Sequence, residues 1–332
     1  MKFIVTGSAG FIGYNLCKRL LEGGNEVLGI DKHTIDYDVR IKEAHTKELS
    51  SSKFFEFIKL DINNEAFKSK IMLEDRKVDY FFHLASKDMY YGSTEHVDYA
   101  PFVETNVLGT TNAFDLSRHL GVKKFIYVSS HSVYGDIGAN LMDEENSVPK
   151  PISPNGASKL SAEHVIQFMS NFYKNSAIIL RAFSVYGPGM RPQTFIPLVI
   201  DRLIKDLPLH SFIEYHNKRD FIYIEDAVRY ILLSLKEENQ FQIVNIASGN
   251  SYSLEQIALK IAKIMKKDPS LLEFKRHSTD FDRIVGVDNL ASVSKAKEIL
   301  KYIPIFDIDE GLTRTVEWYL KNPDILEVST HH

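Results

Sequence analysis

The sequence predicts an α/β fold, a doubly wound parallel sheet, and three observations carry that prediction. Short, β-rich apolar runs alternate with longer amphipathic stretches through the first half of the 332 residues. A glycine-rich turn, VTGSAGFIG, follows the first run directly. A carboxylate, Asp31, closes the second.

In chain order the apolar runs are residues 3–5, 26–30, 55–60, 78–84, 124–128 and 177–180. Several are apolar nearly throughout, as strands covered on both faces should be. Between them, Ile12, Leu16 and Leu20 mark one helical stripe, and Phe102, Leu108 and Phe114 another. After about residue 181 the texture changes. VYGPGMRPQ, residues 185–193, is a Gly/Pro-rich connection, and helical patterns dominate beyond it. QIVNIAS, residues 242–248, still reads as a sheet strand. The expected organisation is a first domain over residues 1–180, its sheet completed by parts of 181–250. Residues 181–330 then form a smaller region that mainly binds substrate. Ligands of such sheets lie beyond the carboxyl ends of the strands.

Charge and composition exclude several classes. Forty basic residues stand against 44 acidic, a formal charge of −4 with no block of like charge. That argues against nucleic acid or a membrane surface as partner. No apolar run approaches ~18 residues, so no membrane-spanning helix is expected. The chain opens on a strand, with no signal peptide expected. Cys17 is the only cysteine, which rules out an intrachain disulfide and suits a reducing cytoplasm. It falls within a helical apolar pattern and reads as core. No metal site is expected.

The turn has the spacing G-x-x-G-x-x-G, with Gly7, Gly10 and Gly13 enclosing Phe11 and Ile12 at the opening of a helix. A tight turn with backbone amides at a helix N-terminus suits a pyrophosphate. Asp31, 18 residues beyond Gly13, is placed to accept hydrogen bonds from adenosine ribose hydroxyls and to repel a 2′-phosphate. NAD is therefore favoured over NADP, with Lys32 beside the acid as a neighbouring contact.

Further stretches resemble the extended short-chain dehydrogenase/reductase family, in particular its NAD-dependent nucleotide-sugar epimerases and dehydratases. They are LDI at residues 60–62, HLAS at 83–86, ETNVLGTTN at 104–112, VSSHSVYG at 128–135, SKLSAE at 158–163, RAFSVYGPG at 181–189, RDFIYIEDA at 219–227 and NIASGNSYSL at 245–254. The resemblance covers nearly the whole chain and implies a Rossmann-type sheet with a smaller C-terminal substrate region. It implies that Asp61 and Ile62 contact the adenine end of NAD, that Leu84, Ala85 and Ser86 line its pyrophosphate and ribose, and that Asn106 supports the strand ends. Lys159 would hold the nicotinamide ribose. Ser130, with Ser132 beside it, would orient the sugar hydroxyl. Arg219 would grip the diphosphate of the sugar nucleotide, with Arg283 as a second clamp and Ser184 and Arg191 as further contacts. Arginine forks suit two phosphates in a chain without net positive charge; an ion pair with neighbouring Asp220 is the plain alternative for Arg219. A cytoplasmic homodimer, joined through helices near residues 101–119 and 156–173, is also implied.

One residue departs from the family pattern. In PISPNGASKLSAE, residues 151–163, Asn155 stands four residues before Lys159, where the resemblance implies a tyrosine. A tyrosine, ordinarily of pKa about 10, is lowered by a nearby lysine and takes the proton of the sugar hydroxyl. Asparagine orients a hydroxyl but takes no proton. The candidate stand-ins are Lys87 and Asp88, just after the fourth strand, and His131, of ordinary pKa about 6.5. Tyr134 reads as core, and Tyr90 and Tyr91 stay open. Four readings follow: a silent NAD and nucleotide-sugar binding protein, an inactivated variant, a 4-epimerase with a stand-in base, or a 4,6-dehydratase with relocated acid–base groups. The last is favoured, acting on a UDP-linked hexose, because PNGASK resembles a stretch of UDP-N-acetylglucosamine 4,6-dehydratases in which methionine replaces the tyrosine. Against it, Ser130-His131-Ser132 stands where common dehydratases carry Thr-Asp-Glu.

Overall fold

The structure, a computed structural model, describes residues 1–34, 38–72, 77–88, 98–138, 140–210, 216–274 and 288–327. Seven strands form the main sheet: β1 (Lys2–Thr6), β2 (Glu26–Asp31), β3 (Phe55–Lys59), β4 (Tyr80–His83), β5 (Lys124–Ser130), β6 (Ala177–Ala182) and β7 (Phe241–Ile246). They lie in the order 3-2-1-4-5-6-7, every neighbouring pair parallel. The order reverses between β1 and β4, and such a switch point opens a crevice at the carboxyl ends. Each run predicted as a strand is one. The fourth is shorter than its pattern suggests: β4 ends at His83, and Leu84, its amide still donating to the Thr6 carbonyl at 3.1 Å, lines the cleft.

Alternate side chains of the sheet bury on opposite faces. Phe3, Val5, Phe82, Ile126 and Val128 pack with Leu16, Cys17 and Leu20 of helix α1 (Phe11–Glu22). Ile4, Phe81, Phe125, Tyr127 and Ile179 pack with Phe114 of α2 (Gly109–His119) and Ile166 of α3 (Pro154–Tyr173). Each such side chain, removed from water, contributes about 1.5–3 kcal/mol. Cys17 is fully enclosed, and burial pushes its thiol up out of any reactive range. Tyr134 is core, as its pattern suggests, its hydroxyl donating to Asn245 Oδ1 at 2.8 Å. A three-stranded sheet of Ser184–Tyr186, Lys218–Tyr223 and Ser251–Ser253 stands beyond the ends of the main one. No helix among the described residues is long and apolar enough to cross a membrane.

The stripe through Phe102, Leu108 and Phe114 is broken. A wide π turn, Val103–Leu108, precedes α2, and its different pitch leaves Leu108 exposed while Asn106 turns fully inward.

His83, at the end of β4, is fully buried. Its ring nitrogens lie 2.7 Å from Thr6 Oγ1 and 3.0 Å from Thr110 Oγ1, tying β1, β4 and α2 together. Burial lowers its pKa from 6.5 to about 3. The unfolded chain therefore takes up a proton as pH falls below 6.5 while the folded chain does not. This stability is whole above 6.5 and drains away as pH falls toward about 3. In His83→Gln, the free energy of urea unfolding is expected to fall less steeply between about pH 6 and pH 4, by up to about 1.4 kcal/mol per pH unit. An unchanged slope would mean that His83 is not held neutral.

Candidate active site

The cleft is built on a contact between backbones. Gly7, leaving β1, has φ of 72°, and a Cβ there would stand 2.7 Å from the Ala85 amide nitrogen and 2.8 Å from the Leu84 carbonyl carbon. A Cβ on Gly13 would meet the Gly7 carbonyl oxygen at 2.1 Å. Only glycine lets the turn lie against the exit of β4. No side chain caps α1 at Gly10, so its first amides are free to meet an anion. Asp31 fixes the turn from the other side: its carboxylate accepts from the Ala9 amide at 3.2 Å and the His33 amide at 2.8 Å. Lys32 donates to Asp61 at 2.9 Å, joining the exits of β2 and β3.

At the other end of the cleft stand Lys159 and residue 155, both on α3. Ser153 caps that helix by accepting from the Gly156 amide, and Pro154 occupies its first position. Lys159 is almost fully buried. It donates to the Val128 carbonyl at 3.0 Å and lies 4.9 Å from the centre of the Tyr127 ring. Burial lowers its pKa to about 8. Next to it, Ser158 is bound by Asn106 at 2.8 Å. The same Asn106 amide accepts from the Lys87 N–H at 2.8 Å and donates to the Lys87 carbonyl at 2.9 Å. Asn106 is thus a strap behind the cavity. Asn106 holds Lys87 by its main chain, and Lys87 is not among the residues that line the cavity.

Ser130 ends β5. Its oxygen accepts from the Ser132 amide at 3.1 Å and the Ser132 hydroxyl at 2.9 Å. Asn155 Nδ2 reaches Ser132 Oγ at 3.4 Å, and Asn155 Oδ1 is buried with no hydrogen-bond partner. His131 stacks on Phe183 with ring centres 5.3 Å apart, and its Nδ1 lies 3.3 Å from the Ala182 carbonyl oxygen. Burial lowers its pKa to about 4, with the charge of Arg219 acting the same way and that of Asp88 opposing it. Asp88 pairs with Arg191 at 2.7 Å. Arg219 and Asp220 alternate in their strand. Asp220 is buried, its carboxylate taken by the Ser248 amide, the Ser248 hydroxyl and the Gly249 amide at 2.7, 2.8 and 2.7 Å, so a surface pair with Arg219 is not what forms.

One cavity of about 440 Å³ collects these groups. Gly7, Gly10, Phe11, Ile12, Gly13, Asp31, Lys32, Asp61, Ile62, Leu84, Ala85 and Ser86 line it toward the glycine turn. Asp88, Ser130, His131, Ser132, Asn155, Lys159, Ser184, Arg191 and Arg219 line the rest. Arg283, Tyr90 and Tyr91 lie outside the described residues. Sequence reasoning missed Thr34 and Lys42, which line the cavity with Asp31 and Lys32, the lysine donating to the threonine. No motif marks them. It also missed Phe183, whose only signal is its place after a strand end.

Residues 3–247 match the model of the NAD dependent epimerase/dehydratase family. The chain belongs to that family. It is 33% identical over 327 residues to a UDP-glucuronate 4-epimerase of Thermodesulfobacterium geofontis, covering 98% of each chain. It is 29% identical to the dTDP-D-glucose 4,6-dehydratase of Homo sapiens, covering 97% of this chain and 90% of the other. Among solved structures, UDP-glucuronic acid 4-epimerase from Bacillus cereus, in complex with UDP-glucuronic acid and NAD, superposes with a TM-score of 0.87 at 30% identity, covering 97% and 100% of the two chains. The family is NAD-dependent, and the residues present fit that cofactor: a side-chain-free turn against β4, uncapped amides on α1 and a carboxylate at the end of β2.

Gly13→Ala is expected to weaken NAD binding by about tenfold or more, since overpacking costs about 1–3 kcal/mol and 1.4 kcal/mol is tenfold. Calorimetric titration of the folded variant measures it, and parental affinity would refute the contact.

Proposed function

We propose that this enzyme is a UDP-sugar 4-epimerase, oxidising carbon 4 of a UDP-linked hexose or hexuronate and reducing it from the opposite face. The glycine turn holds the cofactor pyrophosphate, Asp31 the adenosine ribose and Lys159 the nicotinamide ribose. Arg219 and Arg191 meet the sugar-nucleotide diphosphate and its surroundings. Ser130 and Ser132, already hydrogen-bonded to each other, orient the hydroxyl on carbon 4. NAD supplies the hydride acceptor and donor at that carbon.

The observation that carries the choice of reaction is the set of groups beside Ser130. Elimination of water needs one group to remove the proton next to the new ketone and another to protonate the leaving hydroxyl. Epimerisation needs a single proton acceptor at O4. Positions 131 and 132 are His and Ser. Among the described residues that line this end of the cavity the carboxylate is Asp88, and Arg191 holds it. That supply suits the simpler reaction, as does the likeness to UDP-glucuronate 4-epimerases. The 4,6-dehydration favoured by the motif PNGASK keeps one support, the dehydratases among the relatives.

Incubation with UDP-glucuronate, UDP-glucose and UDP-N-acetylglucosamine, followed by mass spectrometry and sugar analysis, separates the outcomes. An isomer of unchanged mass is expected from at least one of them. A product lighter by one water would replace epimerase by dehydratase, and binding without product would leave a silent binding protein.

We also propose a homodimer. The π turn and α3 lie side by side, and Leu108, Phe168, Phe172 and Tyr173 are all exposed there, with Phe168 and Phe172 stacked at 5.7 Å. The double variant Phe168→Glu/Phe172→Glu is expected to run at half the parental mass in light scattering. A parent that is already monomeric would rule the dimer out.

A further inference from the structure

The missing tyrosine leaves the proton of O4 without an evident acceptor, and the ring of His131, a neutral imidazole lining the cavity, offers one. A backbone carbonyl only accepts, so the 3.3 Å contact with Ala182 requires His131 Nδ1 to carry the hydrogen. In the neutral ring the other nitrogen, Nε2, then carries a bare lone pair. Phe183, stacked on the ring, fixes its plane, and the ring lines the cavity beside Ser130, Ser132 and Asn155. Asn155 Oδ1, buried and without a partner, adds an acceptor that suits a sugar hydroxyl but takes no proton.

Resting on the 4-position chemistry proposed above, we propose that His131 is the general base and acid of this enzyme, acting through Nε2 in place of the absent tyrosine, with Asn155 as the hydrogen-bond acceptor that orients the substrate. The proton leaves O4 for Nε2 as C4=O forms, and the family's dinucleotide would supply the acceptor for the hydrogen and electron pair lost from C4. On the return the same proton goes back to oxygen, so atoms and charge balance within the site. Lys159 is the competing base. Burial lowers its pKa to about 8, while the Val128 carbonyl and the Tyr127 ring hold the ammonium, so near neutral pH it is mostly charged and must lose a proton before it can take one. His131 needs no such step. Burial is the main reason that His131 is weakly basic in the free protein; the charge of Arg219 adds to it, and a bound diphosphate would offset that part alone.

Two measurements test this on the full chain loaded with NAD. Two-bond proton–nitrogen correlation spectra of histidine-labelled protein are expected to show His131 protonated at Nδ1 and bare at Nε2; a proton on Nε2 would overturn the proposal without reference to activity. For turnover, His131→Asn keeps a donor for the Ala182 carbonyl and loses the lone pair. It is expected to lower kcat by about a hundredfold or more while UDP-sugar affinity stays within about twofold. Adding Asn155→Tyr to that variant is expected to restore turnover. His131→Gln serves if the asparagine variant does not fold. Turnover of either folded variant within about threefold of the parent would overturn the assignment. A silent parent that gains activity through Asn155→Tyr alone would also overturn it, while leaving the 4-position chemistry standing. If neither the parent nor that variant turns over a bound UDP-sugar, both fall.

Discussion

The turn after β1 and the exit of β4 touch backbone to backbone, and that contact sets the position of everything in the cleft. Gly7 lies against Leu84 and Ala85 with no room for a Cβ. The contact is held from beneath by Thr6, whose hydroxyl oxygen lies 3.4 Å from the Ala85 amide and 2.7 Å from His83. Two residues farther along, Asn106 grips both main-chain groups of Lys87. The segment from Ala85 to Lys87 is thus fixed by hydrogen bonds from a neighbouring strand and from the π turn. A floor held this way does not need to rearrange when charge moves above it.

Electrostatics follow from the same arrangement. The chain carries a net charge of −4, so cations serve the site only where the fold concentrates them. Lys159, Arg191 and Arg219 all line one cavity. Beneath Lys159, Glu163 and Arg181 form a buried ion pair at 2.7 Å, and Ser129 donates to the same carboxylate at 2.5 Å. Breaking such a pair costs about 3–5 kcal/mol, which makes it a rigid support for α3 and for the strand ends of β5 and β6. The amide of Asn155 puts no ionisable group at the head of that helix. The hydrogen-bonded row of Asn155, Ser132 and Ser130 stays continuous.

Much of this was legible in the sequence, for a physical reason. The seven strands all showed as β-rich runs, several of them apolar nearly throughout because both faces are covered, and a turn that admits no Cβ must show as glycine. Where one residue type serves two purposes, pattern reading failed. Leu108 looked like core because a helical stripe assumes constant pitch, and the π turn changes it. Of Lys87 the sequence displays the side chain, and the structure adds that Asn106 holds its backbone. Thr34 and Lys42 could not be seen, since nothing in their spacing from Asp31 marks a shared wall. His131 stood out as titratable, but the tautomer that gives it a use depends on a carbonyl 51 positions away.

The most direct test of a sugar oxidised and reduced at one carbon in this cleft is the fate of deuterium placed at carbon 4 of the UDP-sugar. Retention of the label at carbon 4 of an inverted product, with none lost to water, is the expected result. Label found at carbon 6, label exchanged for solvent hydrogen, or no reaction while sugar and NAD are both bound would contradict it.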